Sequence, residues 1–106
     1  MFETNYDNQD PEDFDCEIDR PHWPHGTVPD RLAFVNHFLY AKAGFGIVYP
    51  NATYANHTNG AGFTEGELGE HAVRCRERYE RRPNFFLVDF FNEGDVWAVE
   101  HGMNAF

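Results

Sequence analysis

One carboxylate stands out by its surroundings. In Pro83-Asn84-Phe85-Phe86-Leu87-Val88-Asp89-Phe90-Phe91-Asn92, Asp89 sits near the C-terminal end of an apolar run. A lone carboxylate there is costly to bury without partners. The run reads as a strand buried on both faces, as in parallel sheets. In parallel α/β proteins the C-terminal strand ends carry the active site. Asp89 is therefore either a member of a catalytic constellation or a structural carboxylate holding nearby loop backbone, and position alone does not separate the two.

Asn36 and His37 form a second polar interruption, within the apolar segment 31–40. Strand alternation sends them to opposite faces, so at most one reaches a given site. Each is either a hydrogen-bonded core residue or a substrate-side contact. His22-Trp23-Pro24-His25, with Asp19 upstream, resembles a metal pair by spacing only. Pro24 breaks any helix that would align the two rings, so no metal is assigned and no cofactor is implied. His71, on a helix, and His57 and His101 read as surface residues. Cys16 and Cys75 lack C-x-x-C spacing and are either two reduced thiols or one long-range disulfide. Asn51-Ala52-Thr53 and Asn56-His57-Thr58 are N-x-T glycosylation acceptors in a loop. No Ser-His-Asp, phosphate-loop or dinucleotide-binding glycine pattern is present.

The elements that must position these groups follow from periodicity. Residues 1–30 are acidic and Pro-rich, and on composition alone read as a solvated tail. Arg31–Tyr40 reads as a strand with two mostly apolar faces, Leu32, Phe34, Asn36 and Phe38 on one and Ala33, Val35, His37 and Leu39 on the other. Residues 41–63 form a long loop with a short strand or turn over 46–49, and loops of that length are often functional. Thr64–Arg82 is a helix: Thr64 and Glu67 make a capping box, and Leu68, Ala72, Cys75 and Tyr79 form one buried stripe. Five arginines crowd its C-terminal end. That is the wrong end for an anion, so they compensate the helix dipole. The strand 84–91 follows, then Asp95 as an N-cap and a short helix over Val96–Met103.

The bulk numbers bound the function. At 106 residues the chain is one small domain. A complete eight-stranded barrel needs roughly 200 residues or more. The formal charge is −10, and the first nineteen residues hold eight Asp or Glu and no Lys or Arg. That balance excludes nucleic acid as a partner, which needs a basic footprint. No run approaches the roughly 18 apolar residues of a transmembrane segment. The start, MFETNYDNQD, shows no signal-peptide pattern.

Several pieces together resemble one family. RRPNFFLVDFFNEGD is similar to the last strand and following loop of phosphatidylinositol-specific phospholipase C X-domain-like phosphodiesterases, above all their fungal secreted branch. Phe2-Glu3-Thr4 with Cys16-Glu17-Ile18-Asp19-Arg20-Pro21 resembles its acidic segment and C-x-x-D-R-P motif, and Arg31–Leu39 its "NHF" strand. Thr58-Asn59 and Gly69–Cys75 resemble its penultimate loop and helix. The resemblance covers nearly the whole chain and corresponds to about the last third of such an enzyme. It implies an α/β fold, the C-terminal segment of a TIM-barrel-type phosphodiesterase and hence an incomplete barrel, with residues 1–30 a long barrel loop. It implies phosphoric diester hydrolysis on a phosphoinositide-like lipid or head group, with Asp89 as a catalytic orienting carboxylate and Asn36 or His37 near substrate. It places both catalytic histidines in the N-terminal half of the barrel, so this chain alone is expected to be inactive. It also implies an extracellular setting, in which Cys16 and Cys75 are expected to pair. The alternative is a small secreted non-enzymatic binding module acting through its aromatic surface, including Trp23 and Trp97. As a barrel fragment with two-faced apolar strands, the isolated chain is expected to be poorly stable or self-associating; the alternative is that it closes a compact fold of its own.

Overall fold

The computed structural model describes residues 1–105. In chain order the elements are β1 (Phe2–Glu3), β2 (Ala33–Asn36), β3 (Tyr40–Lys42), β4 (Val48–Pro50), α1 (Ala55–Thr58), α2 (Leu68–Tyr79), β5 (Phe85–Leu87) and α3 (Val96–Asn104). β1, β2 and β5 form a parallel sheet in the order β1-β2-β5. Phe2 pairs with Ala33, and Asn36 pairs with Leu87. β3 and β4 form a separate antiparallel hairpin. This is a small α/β fold, and the described residues form no closed barrel.

The core lies between the sheet and α2. Phe2, Ala33 and Val35 project from one sheet face onto Cys75 and Tyr79 of the helix, with Cys16 beside them. The Phe2 and Tyr79 rings meet edge to face at 5.3 Å. A second cluster joins α2 to α3 through Leu68, Ala72, Val99 and Met103. The predicted helical stripe thus splits its work, its first half facing α3 and its second half the sheet. Cys16 and Cys75 are joined by a disulfide that spans 59 residues.

Helix limits follow local chemistry. Glu67, not Thr64, is the N-cap of α2. Its carboxylate accepts from the Thr64 backbone N–H at 2.9 Å and the Thr64 hydroxyl at 2.6 Å, closing the turn before the helix. Glu80, left-handed at φ 57°, ends it before the arginines are spent. Two of those arginines therefore do more than offset a dipole. Arg81 donates to the carbonyls of Pro29 and Arg31, and Arg82 to that of Met103. α3 starts at Asp95, whose carboxylate accepts from Ala98 N–H at 3.3 Å.

Two expectations are corrected. The acidic segment 1–30 is not a solvated tail. Phe2 and Phe14 are fully buried, each contributing about 2–3 kcal/mol. β1 also satisfies one edge of β2, which composition cannot reveal. Nor is the strand over 84–91 buried on both faces. Only Phe85–Leu87 pair, on the sheet edge, and Phe85 and Leu87 are 47% and 46% exposed. Among the described residues no layer covers that second face.

Two outcomes follow. Cys16→Ser should lower the unfolding free energy in urea by up to roughly 4 kcal/mol, the chain-entropy value for a loop of this length; an unchanged midpoint would show that the disulfide restrains nothing. Size-exclusion chromatography of the 106-residue chain should show concentration-dependent association, which Phe85→Lys at the open edge should reduce. A sharp monomer at all concentrations would contradict the open-edge reading.

Candidate functional site

The C-terminal ends of the parallel strands gather the polar groups. Glu3 ends β1 and Asn36 ends β2, while Asp89 lies two residues beyond Leu87, the sheet partner of Asn36. Asn36 is 2% exposed, and both its backbone and its side-chain nitrogen are engaged. Its side-chain amide donates to a Glu3 carboxylate oxygen at 3.0 Å and to the Thr4 carbonyl at 2.9 Å, and its backbone N–H donates to the Thr4 hydroxyl at 3.0 Å. Glu3 in turn pairs with Arg20, whose guanidinium lies 4.6 Å from the Tyr6 ring centroid. An open crevice of about 230 Å³ is lined by Met1, Phe2, Glu3, Arg20, Pro21 and Phe34. A carboxylate and a guanidinium bordering an apolar cleft, the carboxylate held from behind by the Asn36 amide, can orient a ligand with both hydroxyl and anionic groups.

Asp89 is held differently. Its carbonyl and that of Phe90 both accept from the Asn59 side-chain amide, at 2.8 and 3.0 Å. Phe90 takes a left-handed φ of 52°, strained for a residue with a side chain. The Asp89 carboxylate has no hydrogen-bond or ion-pair partner among the described residues. Desolvation by burial raises its pKa above the usual value. The clamp therefore fixes the backbone and leaves the acid free to engage something else. Asp89 and Asn36 end neighbouring strands, yet no hydrogen bond joins them.

His37 goes to the other side of the sheet. It is fully buried, as is His71 of α2, contrary to the surface position expected for a lone helical histidine. The two rings meet Nδ1 to Nδ1 at 2.7 Å. His37 Nε2 faces the Thr58 carbonyl at 2.6 Å, and His71 Nε2 faces the Asp15 carbonyl at 2.7 Å. Burial pulls each ring's pKa down, His37 to about 3 with His71 adding to the effect, and His71 to about 4. This disposition gives His37 no route to a ligand on the open face. His71 lies one residue before Ala72 on the apolar stripe, and that spacing was the available signal for its burial.

The remaining sequence candidates scatter. Asn51 is half-buried and its side-chain oxygen accepts from Tyr54 N–H. Asn56 is exposed on α1, and its side-chain oxygen accepts from Gly94 N–H. His71, Cys16 and Cys75 lie within metal-ligand distance of one another, but the disulfide occupies both sulfurs. Glu3 and Arg20 border the crevice although no local sequence signal marks either as a site residue; each lies in a segment that carries the family resemblance. No helix among the described residues is long and apolar enough to cross a membrane.

A parallel α/β sheet with its polar groups at the strand C-termini defines the general class. The PI-PLC X family model, described as PI-PLC X 1, matches residues 1–104. The chain is 38% identical over 105 residues to PI-PLC X domain-containing protein 1 of Arthroderma benhamiae, covering 98% of this chain and 33% of that protein. It is also 38% identical over 103 residues to an uncharacterized secreted protein of the same fungus, covering 91% of this chain and 22% of that one. The chain belongs to the PI-PLC X domain family. It spans a third or less of the length of these relatives. No solved structure gives a significant match.

Asn36→Leu should cost about 1–3 kcal/mol in urea unfolding, because it strips the Thr4 carbonyl and a Glu3 oxygen of a buried donor. Arg20→Ala should cost no more than about 1 kcal/mol, since the Arg20 side chain is 59% exposed. Equal costs would place the strength of the network in the ion pair rather than the amide.

Proposed function

We propose that this chain is part of a secreted phosphoric diester hydrolase of the phospholipase C type, acting on a phosphoinositide-like or glycosyl-phosphoinositide-like head group. The carrying observation is Asp89, an unpartnered carboxylate of raised pKa, its backbone clamped at the C-terminal end of a parallel strand. Such a group is suited to accept from the N–H of a histidine, fixing its tautomer and stabilising the imidazolium. In the proposed reaction the inositol hydroxyl next to the phosphate loses its proton to one histidine. Its oxygen attacks phosphorus and displaces the diacylglycerol oxygen, which a second histidine protonates. His37 and His71 are unsuited to either task, because both nitrogens of each ring are engaged. The two catalytic histidines would come from parts of the fold this chain does not span, and the chain alone would be inactive. Asn36, with Glu3 and Arg20, would border the head group. An exported protein would also carry glycans at Asn51 and Asn56.

A second reading rests on a different feature. Phe85, Phe91 and Trp97 are exposed around a groove of about 380 Å³ between β5 and α3. A non-enzymatic secreted module would use such an aromatic surface for binding.

Asp89→Asn is the deciding change, made in a full-length homologous enzyme at the matching position. The enzymatic reading expects kcat to fall by a factor on the order of 10² or more with little change in folding. Near-normal turnover would leave Asp89 a structural carboxylate.

A further inference from the structure

The three contacts of the buried histidine pair do not balance with neutral rings. Thr58 O, His37, His71 and Asp15 O form a single line of three hydrogen bonds, at 2.6, 2.7 and 2.7 Å. Carbonyl oxygens only accept, so both Nε2 atoms must donate. Two neutral imidazoles carry one N–H each, and both are then used at the outer ends. That leaves two bare Nδ1 lone pairs facing each other at 2.7 Å. Moving either proton inward repairs the centre and sets a bare Nε2 against a carbonyl oxygen. Three bonds need three protons. A doubly charged pair fails as well, since two N–H groups would then collide at the centre.

We propose that His37 and His71 form a buried proton-binding site, holding one proton between their Nδ1 atoms and a single positive charge across the two rings.

The surroundings suit a delocalised cation. Phe14, itself fully buried, stacks on both rings, with centroids 4.1 Å from His37 and 5.3 Å from His71. An aromatic face over an imidazolium is attractive. Both outer bonds become charge-assisted, which shortens them and matches the distances found. The groups around the pair come from three directions. From the N-terminal segment, Asp15 offers its backbone carbonyl to His71; its carboxylate has one oxygen, Oδ1, buried and without a hydrogen-bond partner among the described residues, and burial raises its pKa. From α2, Arg74 opposes the charge, but its guanidinium is held by Glu70 at 3.2 Å. From the turn before α2, the Gly66 backbone also acts on His37 and favours its protonated form. From α1 and β2 the pair meets only the Thr58 carbonyl and His37 itself. Desolvation still opposes charge here, and ring by ring it would leave both neutral. The central contact decides otherwise, because desolvation cannot make two lone pairs bond. What burial does enforce is the exclusion of a second proton.

The site ties four parts of the chain together: the Asp15 turn, the end of β2, the end of α1, and α2. Asn59, next to Thr58, is the residue that clamps Asp89 and Phe90. The proton thus sits one residue from the clamp on the candidate catalytic loop. The proposal holds whether or not Asp89 takes part in catalysis.

The sign of the pH dependence follows from proton counts. Unfolded, the two histidines titrate near pH 6.5, going from two protons to none. Folded, they hold one throughout. Below about pH 6.5 the unfolded chain binds more protons, so stability rises with pH; above it the folded chain binds more, so stability falls with pH. Stability from the pair therefore peaks near pH 6.5. On the alkaline side it falls about tenfold in the folding constant per pH unit, until the folded pair loses its proton.

The test uses the 106-residue chain labelled with 15N-histidine. At pH 7.5 one far-downfield exchangeable proton should couple to both Nδ1 nitrogens, and all four ring nitrogens of the pair should be protonated or proton-sharing. Urea unfolding between pH 5 and 9 should show the peaked profile. The double variant His37→Phe/His71→Phe should lose it, on both limbs. Two unprotonated Nδ1 signals with no shared proton at pH 7.5 would overturn the proposal, as would a wild-type folding constant that is flat from pH 7 to 9. Should the double variant fail to fold, the wild-type spectrum and profile still decide.

Discussion

Everything in this fold depends on the pairing of one short strand. β2 is central, and each of its edges must find backbone partners, because an unpaired buried amide or carbonyl costs about as much as a lost hydrogen bond. β1 satisfies one edge and β5 the other. The first requirement draws the acidic N-terminus into the core, with Phe2 beneath α2. The second sets β5 at the margin, where its outer face has no cover. The disulfide then fastens the N-terminal segment to the helix that covers the sheet. A chain of net charge −10 with an ordered acidic start is the result, and the burial of Phe2 and Phe14 outweighs the solvation of the carboxylates around them.

Buried polar groups in this molecule follow one pattern. Side-chain donors are aimed at backbone carbonyls that no strand or helix uses. Asn36 reaches Thr4, Asn59 reaches Asp89 and Phe90, Tyr79 reaches Cys16, and the two histidines reach Thr58 and Asp15. These bonds hold loops that have little regular structure of their own. Strands of two to four residues and a four-residue helix would otherwise leave many carbonyls unsatisfied. Among the described residues Asp15 Oδ1, Trp23 Nε1 and Asn59 Oδ1 are buried exceptions, and the Asp89 carboxylate is held differently again. Its backbone is fixed at one of these clamps, while its partly buried acid group has no match among the described residues.

The family assignment and the geometry bear on different questions. Matching over residues 1–104 and 38% identity to a fungal PI-PLC X domain-containing protein fix the relationship. They do not by themselves say which residues act. The geometry shows an open sheet edge with Phe85 and Leu87 exposed, and the chain spans a third or less of the length of these relatives.

Local signals were legible in the sequence where they were strong and short-ranged. The apolar stripe from Leu68 to Tyr79 places α2, and Asp95 before Val96–Met103 places α3, because capping and a 3.6-residue period act within a few residues. The alternation around Asn36 and His37 correctly sends them to opposite faces. The apolar run around Asp89 marks the acid as unusual. What the sequence by itself could not determine is which groups meet across long separations. Phe2 with Ala33, His37 with His71, Arg20 with Glu3, and Asn59 with Asp89 are contacts between segments 17 to 34 residues apart. No local rule specifies them. His71 looks like a surface histidine until β2 and the Asp15 turn close over it. The strand 84–91 looks fully buried until the sheet ends there. Composition sets what a segment would prefer, and only the tertiary structure decides which surfaces are present to meet it, because burial and hydrogen-bond satisfaction belong to the folded arrangement and not to the residue.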